Sequence, residues 1–164
     1  MPQAAVGVSA PTIELKGTDG ASYALNQALA RGPVLAAFFK VSCPTCQFTF
    51  PFLERLHAQW GNNGVTVWGI SQDDARDTRA FASKFGITFP LLVDDPPYRV
   101  CRQYDVKFTP TLFLIGADGQ IELASEGFAK RDLLEIQRRL ANRLGVEPPP
   151  LFRPGERVPE FKPG

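Results

Sequence analysis

The chain alternates between continuous apolar runs of strand length and longer segments with helical spacing. Val34 to Phe39 is unbroken apolar sequence, the pattern of a strand buried on both faces. Phe48, Phe52, Leu53, Leu56 and Trp60 fall on one helical stripe. Pro44 suits a first helical position, Pro51 lies inside and predicts a kink, and Gly61 to Gly64 ends the element. Val65–Ile70 reads as the next strand. A helix over Ala75–Phe85 follows, capped by Asp73 or Asp74 and stopped at Gly86. Phe89–Val93 predicts a short strand and Tyr98–Tyr104 a weak helix. Thr111–Ile115 and Ile121–Ala124 flank Asp118-Gly119, a hairpin signal. Leu133, Ile136, Leu140 and Leu144 form a last amphipathic helix closed by Gly145. Before all these, Thr12–Leu15 predicts a short strand, Tyr23–Ala30 a short helix, and residues 1–10 a loose start. The order gives an α/β domain whose strands run parallel first and end in an antiparallel pair.

Residues 1–145 therefore read as one domain and residues 146–164 as a Pro-rich tail. The tail opens with Glu147-Pro148-Pro149-Pro150 and also holds Pro154, Pro159 and Pro163. Its composition predicts a polyproline-like or unstructured segment. At 164 residues, 44% of them hydrophobic, the chain can bury one full core. The net charge of +1 implies no attraction to nucleic acid or anionic membranes. No apolar run is long enough to span a bilayer. The N-terminus has no signal-peptide pattern, so the expectation is a cytoplasmic protein, or a periplasmic one whose signal or anchor has been removed.

The chemistry concentrates at Cys43-Pro44-Thr45-Cys46. It stands directly after the apolar strand and at a helix start, where the helix dipole favours an anion such as a thiolate. Two thiols at this spacing can close a small disulfide ring. Three readings compete: redox couple, structural disulfide and half of a zinc site. So short a loop restrains little of an unfolded chain. A closed zinc site needs four ligands, and the only further Cys and His are Cys101 and His57. His57 lies eleven residues beyond Cys46, roughly 16 Å along a helix. Cys101 reads as a buried small hydrophobe and His57 as a surface helix residue. The chain holds 13 Phe, several beside the thiols; any left exposed there would form a docking surface for a protein.

A second segment, Phe108-Thr109-Pro110-Thr111, sets a proline before an apolar strand. Here residues 8–145 resemble the thioredoxin superfamily, and more closely its TlpA/ResA-like and redoxin (AhpC/TSA-like) branch. The likeness rests on the strand running into CxxC, Phe50-Pro51, Trp68-Gly69-Ile70-Ser71 with Asp73-Asp74, Thr109–Ile115 with Asp118-Gly119, and Gly127. It implies a thioredoxin-like fold, a central mixed sheet of four or five strands flanked by helices. It implies a thiol–disulfide oxidoreductase in which Cys43 attacks and the more buried Cys46 resolves. Pro110 would be cis, and Thr109, Pro110, Pro44 and Thr45 would contact an extended protein substrate. The expected partners are a protein disulfide or dithiol and a separate redox partner protein, acting on a monomer with no metal or organic cofactor.

The departures narrow this. Thioredoxin's buried aspartate position is Ala37, the glutamate of the ResA-like branch is Thr49, and Ser42 replaces the usual tryptophan. No acid stands ready to take the Cys46 proton. Lys40 is close in sequence to the thiols but reads as a solvated strand-end residue. Two alternatives remain: a peroxiredoxin-like thiol peroxidase, whose Pro and Thr positions are here Ala36 and Lys40, and a copper- or zinc-binding metallochaperone, which would want CxxxC and a distant histidine.

Overall fold

The computed structural model describes residues 5–164. The elements are β1 (Glu14–Gly17), β2 (Ser22–Ala24), α1 (Leu25–Leu29), β3 (Val34–Phe39), α2 (Pro44–Trp60), β4 (Thr66–Ser71), α3 (Ala75–Phe85) and β5 (Leu91–Val93). After them come α4 (Arg99–Gln103), β6 (Thr111–Ile115), β7 (Ile121–Glu126), β8 (Phe128–Ala129), α5 (Lys130–Leu144) and β9 (Phe161–Lys162).

Seven strands form one mixed sheet in the order β2-β1-β5-β4-β3-β6-β7. β3, β4 and β5 are parallel, and β6 and β7 run antiparallel beyond β3. The sheet is wider than the four or five strands expected, because β1 and β2 add an antiparallel pair beside the short β5. β1 begins two residues later than the alternating Thr12–Leu15 pattern, since Lys16 and Gly17 are the residues that pair with Val93 and Leu92.

Strand alternation divides the core. On β3, Leu35, Ala37 and Phe39 join one apolar cluster with Phe50, Leu53 and Leu56 of α2, Phe81 of α3, and Leu133, Ile136 and Leu140 of α5. Val34, Ala36 and Phe38 join the other, with Leu25 and Ala28 of α1, Val100 of α4 and Tyr104 at its C-cap. β3 is thus covered on both faces, which is why it reads as unbroken apolar sequence. Gly69 of β4 is required by close approach: a Cβ there would lie 2.5 Å from Leu91 and 3.0 Å from both Phe39 and Phe50.

Asp74 caps α3 by accepting from the Asp77 N–H at 2.8 Å, and Gly86 and Gly145 end α3 and α5 in the left-handed conformation. The start of the chain is less loose than its composition predicts. Gly7 donates to Ile121 and Ala10 to Gly119, each at 2.8 Å, so residues 7–10 lie along the β6–β7 hairpin; residues 1–4 fall outside the described residues.

The tail departs most from expectation. Leu151 is 1% exposed and belongs to the α2–α3–α5 core cluster, with Phe152 and Val158 packed against it. Phe152 meets Phe52 at 5.1 Å between ring centroids. Farther on, β9 pairs antiparallel with β8. Proline brings no N–H to satisfy, so a Pro-rich segment can lie across apolar surface if its few hydrophobic residues are spaced to reach it. No helix among the described residues is long and apolar enough to cross a membrane.

Candidate active site

β3 delivers the chain to the sheet's C-terminal end, and the loop 40–43 turns it into α2. That loop is tied down twice. Val41 donates its N–H to Asp73 Oδ2 at 2.8 Å, and its carbonyl accepts from Gln47 Nε2 at 2.9 Å. Asp73 is placed in turn by its own N–H donating to Ser71 Oγ at 3.0 Å, while Ser71 and Thr78 share a buried hydroxyl pair. The sequence offered Asp73 or Asp74 as the cap of α3; Asp74 is the cap, and Asp73 instead fixes the approach to the thiols.

Cys43 is the N-cap of α2, with Pro44 in the first turn. Its sulfur accepts the Cys46 N–H at 3.1 Å, meeting one of the orphan donors of a helix start. Its thiol donates to the Thr109 carbonyl at 3.3 Å. Both thiols are free; Cys43 is half-buried and Cys46 fully buried. Burial, and then the adjacent Cys43, push the Cys46 thiol well above the ordinary range.

The Thr109–Pro110 peptide is cis, as is Pro96–Pro97, which the sequence reading did not mark. Pro110 is buried and Thr109 half-buried. The loop is held by Thr111 Oγ1 donating to the Phe108 carbonyl at 2.6 Å, and by Gly127 N–H donating to the Pro110 carbonyl at 2.8 Å. Of the residues predicted to contact substrate, Pro44 is exposed beside Cys43, and Thr45 is buried with its hydroxyl on the Pro163 carbonyl at 2.7 Å. Phe108, next to Thr109, is 54% exposed, whereas Phe38, Phe39, Phe50 and Phe52 are core.

Ala37 and Thr49 are both fully buried. Thr49 turns its hydroxyl onto the Thr45 carbonyl at 2.7 Å, so it closes a helix bond and brings no base. Lys40 is exposed. His57 stacks edge-on to Phe89, more enclosed than a free surface residue. Cys101 is buried against β3 and β6 side chains, and burial raises its thiol to about 12. Among the described residues no cluster of three or more His, Cys, Asp or Glu is arranged to hold a metal ion.

The mixed sheet, the dithiol at the N-terminus of α2 and the cis-proline loop facing it define a thioredoxin-like fold. Residues 6–124 match the AhpC/TSA family, and the chain belongs to it. Among curated relatives, the thiol-disulfide oxidoreductase ResA of Geobacillus kaustophilus is 28% identical over 83% of this chain and 76% of its own. A crystal structure from Chlorobium tepidum, assigned as a thiol:disulfide interchange protein DsbE, superimposes with a TM-score of 0.77 at 26% identity, over 87% of this chain and 99% of that one. Peroxidoxin BcpB of Mycobacterium tuberculosis shares the fold, with a TM-score of 0.72 at 22% identity over 88% of this chain and 99% of its own.

Proposed function

We propose that Cys43 and Cys46 are the redox couple of a thiol–disulfide oxidoreductase acting on protein substrates. The ResA and DsbE relatives support an oxidoreductase activity for this chain. The observation that carries the residue assignment is the asymmetry of the two thiols: Cys43 is half-buried at the helix start, and Cys46 is enclosed behind it.

The Cys43 thiolate attacks one sulfur of a substrate disulfide. A Cys43–substrate disulfide forms, and the second substrate sulfur leaves as a thiolate that takes up a proton. Cys46 then loses its proton and attacks the Cys43 sulfur. The ring closes and the first substrate sulfur is expelled. Two electrons have passed to the substrate, and a separate dithiol protein returns them to the chain. Run backwards, the same steps oxidise a substrate dithiol.

Ionisation of Cys43 keeps the bond from the Cys46 N–H and releases the Thr109 carbonyl, which held the thiol proton. That carbonyl is then free to accept an N–H from an extended substrate strand. Pro110, Pro44 and Thr45 complete the contact surface in this reading. With Ala37 and Thr49 in the two acid positions, the Cys46 proton leaves to water or to the departing sulfur.

The test is insulin reduction with Cys43→Ser as control, joined to a redox titration of the couple. Equal activity in both proteins defeats the proposal. A potential near about −270 mV marks a reductant and one near about −120 mV an oxidant. The peroxidase reading lacks its hydroxyl, since an exposed lysine stands at position 40. Peroxide consumption by the reduced protein checks it directly, and sedimentation tests the monomer.

A further inference from the structure

The tail does more than fill core. After Leu151 seats among the α2 and α5 side chains, Arg55 anchors it a second time: Nη1 donates to the Leu151 carbonyl at 3.0 Å, and the guanidinium forks onto Glu156 at 2.6 and 2.8 Å. Beyond this anchor the chain turns back toward the thiols. Lys130 donates its N–H to the Glu160 carbonyl at 3.0 Å, and Phe161–Lys162 pairs with Ala129–Phe128. The Lys162 ammonium lies 5.2 Å from the Phe48 ring centroid. Thr45, between the two cysteines, donates its hydroxyl to the Pro163 carbonyl at 2.7 Å. Gly164 then lies so close to Thr109 that a Cβ would be 2.5 Å from its carbonyl oxygen. This is the carbonyl that holds the Cys43 thiol.

The geometry points to Glu160–Gly164 as an internal occupant of the surface on which a protein substrate would lie. The segment is extended and contributes backbone to a strand edge. It satisfies a hydroxyl inside the CxxC and closes on Thr109, as a bound peptide would. Gly127, at φ +72°, opens this track: a Cβ there would sit 2.5 Å from the Lys162 carbonyl. Glu160 is held by the Lys130 N–H and a long, exposed ion pair of 3.9 Å with the Lys130 ammonium. Beyond it the hold is a two-residue ladder, one hydroxyl bond and one cation over a ring, while the anchor upstream is firm. A segment held by so few contacts opens locally without unfolding the domain. An extended protein segment must displace it, so apparent affinity for protein substrates is reduced by the fraction of time the strap is closed. Small thiol reagents need no such displacement.

This inference rests on the exchange reading of Cys43 and Cys46, and its test separates the two. Three proteins are compared: the full chain, a variant ending at Arg157 that keeps Leu151, Phe152 and the Arg55–Glu156 pair, and full-length Gly164→Val. Cys43 of the reduced proteins is modified with iodoacetamide and with a bulky polyethylene-glycol maleimide, which needs no catalysis. The truncation is expected to speed the bulky reagent roughly tenfold, the weight of one or two net hydrogen bonds. Iodoacetamide should change by less than about twofold on the same argument. Gly164→Val should shift the bulky reagent in the same direction by less, and it decides alone if the truncated chain fails to fold. Unchanged bulky labelling overturns the strap. With insulin, the truncation is expected to lower KM and leave kcat. If bulky labelling rises but neither protein turns over insulin, the exchange reading falls and the strap stands.

Discussion

The amide of Cys46 donates to the sulfur of Cys43 at 3.1 Å, while the Cys43 thiol donates to the Thr109 carbonyl at 3.3 Å. One sulfur is thus held between a helix start and a loop far along the chain, with its outer side half open. Replacement of either cysteine should therefore give different failures. Cys43→Ser is expected to abolish insulin reduction. Cys46→Ser is expected to stop at the mixed disulfide, visible as an adduct by intact-mass measurement. An adduct of equal yield on Cys43→Ser would reverse the assignment.

Asp73 acts on this sulfur at one remove, by fixing Val41. Hydrogen bonds to a charged partner are worth about 1.5–3 kcal/mol, and Asp73 is only half-buried, so Asp73→Ala should cost near the lower end. Denaturant unfolding measures that cost. Exchange should fall as well, through a less ordered approach to Cys43, and Asp73→Asn should recover part of both because its amide oxygen still accepts. A loss of stability with kcat and KM unchanged would make Asp73 merely structural.

Which parts of this arrangement were legible follows from what each depends on. β3 and α2 announce themselves because burial on two faces, or on one stripe, fixes the residue types at every position. The hairpin shows because Asp118-Gly119 carries a local conformational requirement. That the Thr109-Pro110 loop serves the site came through the resemblance, but the bond from the Cys43 thiol to the Thr109 carbonyl did not, since no local pattern links residues so far apart. β8 and β9 were missed: two-residue strands have no periodicity, and their partners are distant in sequence. Val41–Asp73 was missed for the same reason, and Asp73 also reads plausibly as a cap. The tail misled because proline-rich sequence looks alike whether docked or free. The one available signal was Leu151, Phe152, Val158 and Phe161, more large apolar side chains than a solvated linker needs.

Leu151 makes that point measurable. In a loose tail, substitution would shift stability by no more than about 0.5 kcal/mol. At 1% exposure within the α2–α5 cluster, Leu151→Ala is expected to cost about 2–4 kcal/mol. Urea unfolding monitored by the intrinsic fluorescence of Trp60 and Trp68 distinguishes the two outcomes.

Alkaline pH should weaken the reduced fold. Burial holds the Cys101 thiol at about 12, against 9.0 for an ordinary cysteine, and moves Cys46 in the same direction. The folded state keeps these protons where the unfolded state releases them. Their contribution is complete below pH 9.0 and declines as pH rises toward 12. The slope approaches about 1.4 kcal/mol per pH unit for each such thiol. Cys101→Ala should flatten the stability profile of the reduced protein above pH 9.0. An unchanged slope would show that Cys101 ionises without unfolding.

Acid should act on the tail instead. The Arg55 guanidinium, and then the Arg153 N–H, hold the Glu156 carboxyl at about 2, below its ordinary 4.5. A depressed carboxylate stabilises the docked tail fully above pH 4.5, and that contribution is lost as pH falls through about 2. The core contact of Leu151 is indifferent to pH, so acid should free the segment around Glu156 before the domain unfolds. Pepsin, active across this window, is the probe. Cleavage within residues 153–164 should accelerate between pH 4.5 and 2, ahead of cleavage in β3 or α2. Glu156→Gln removes the titrating group and should give a tail whose cleavage no longer changes relative to the domain. Cleavage that rises in step in tail and domain would mean that the Arg55–Glu156 pair does not govern docking.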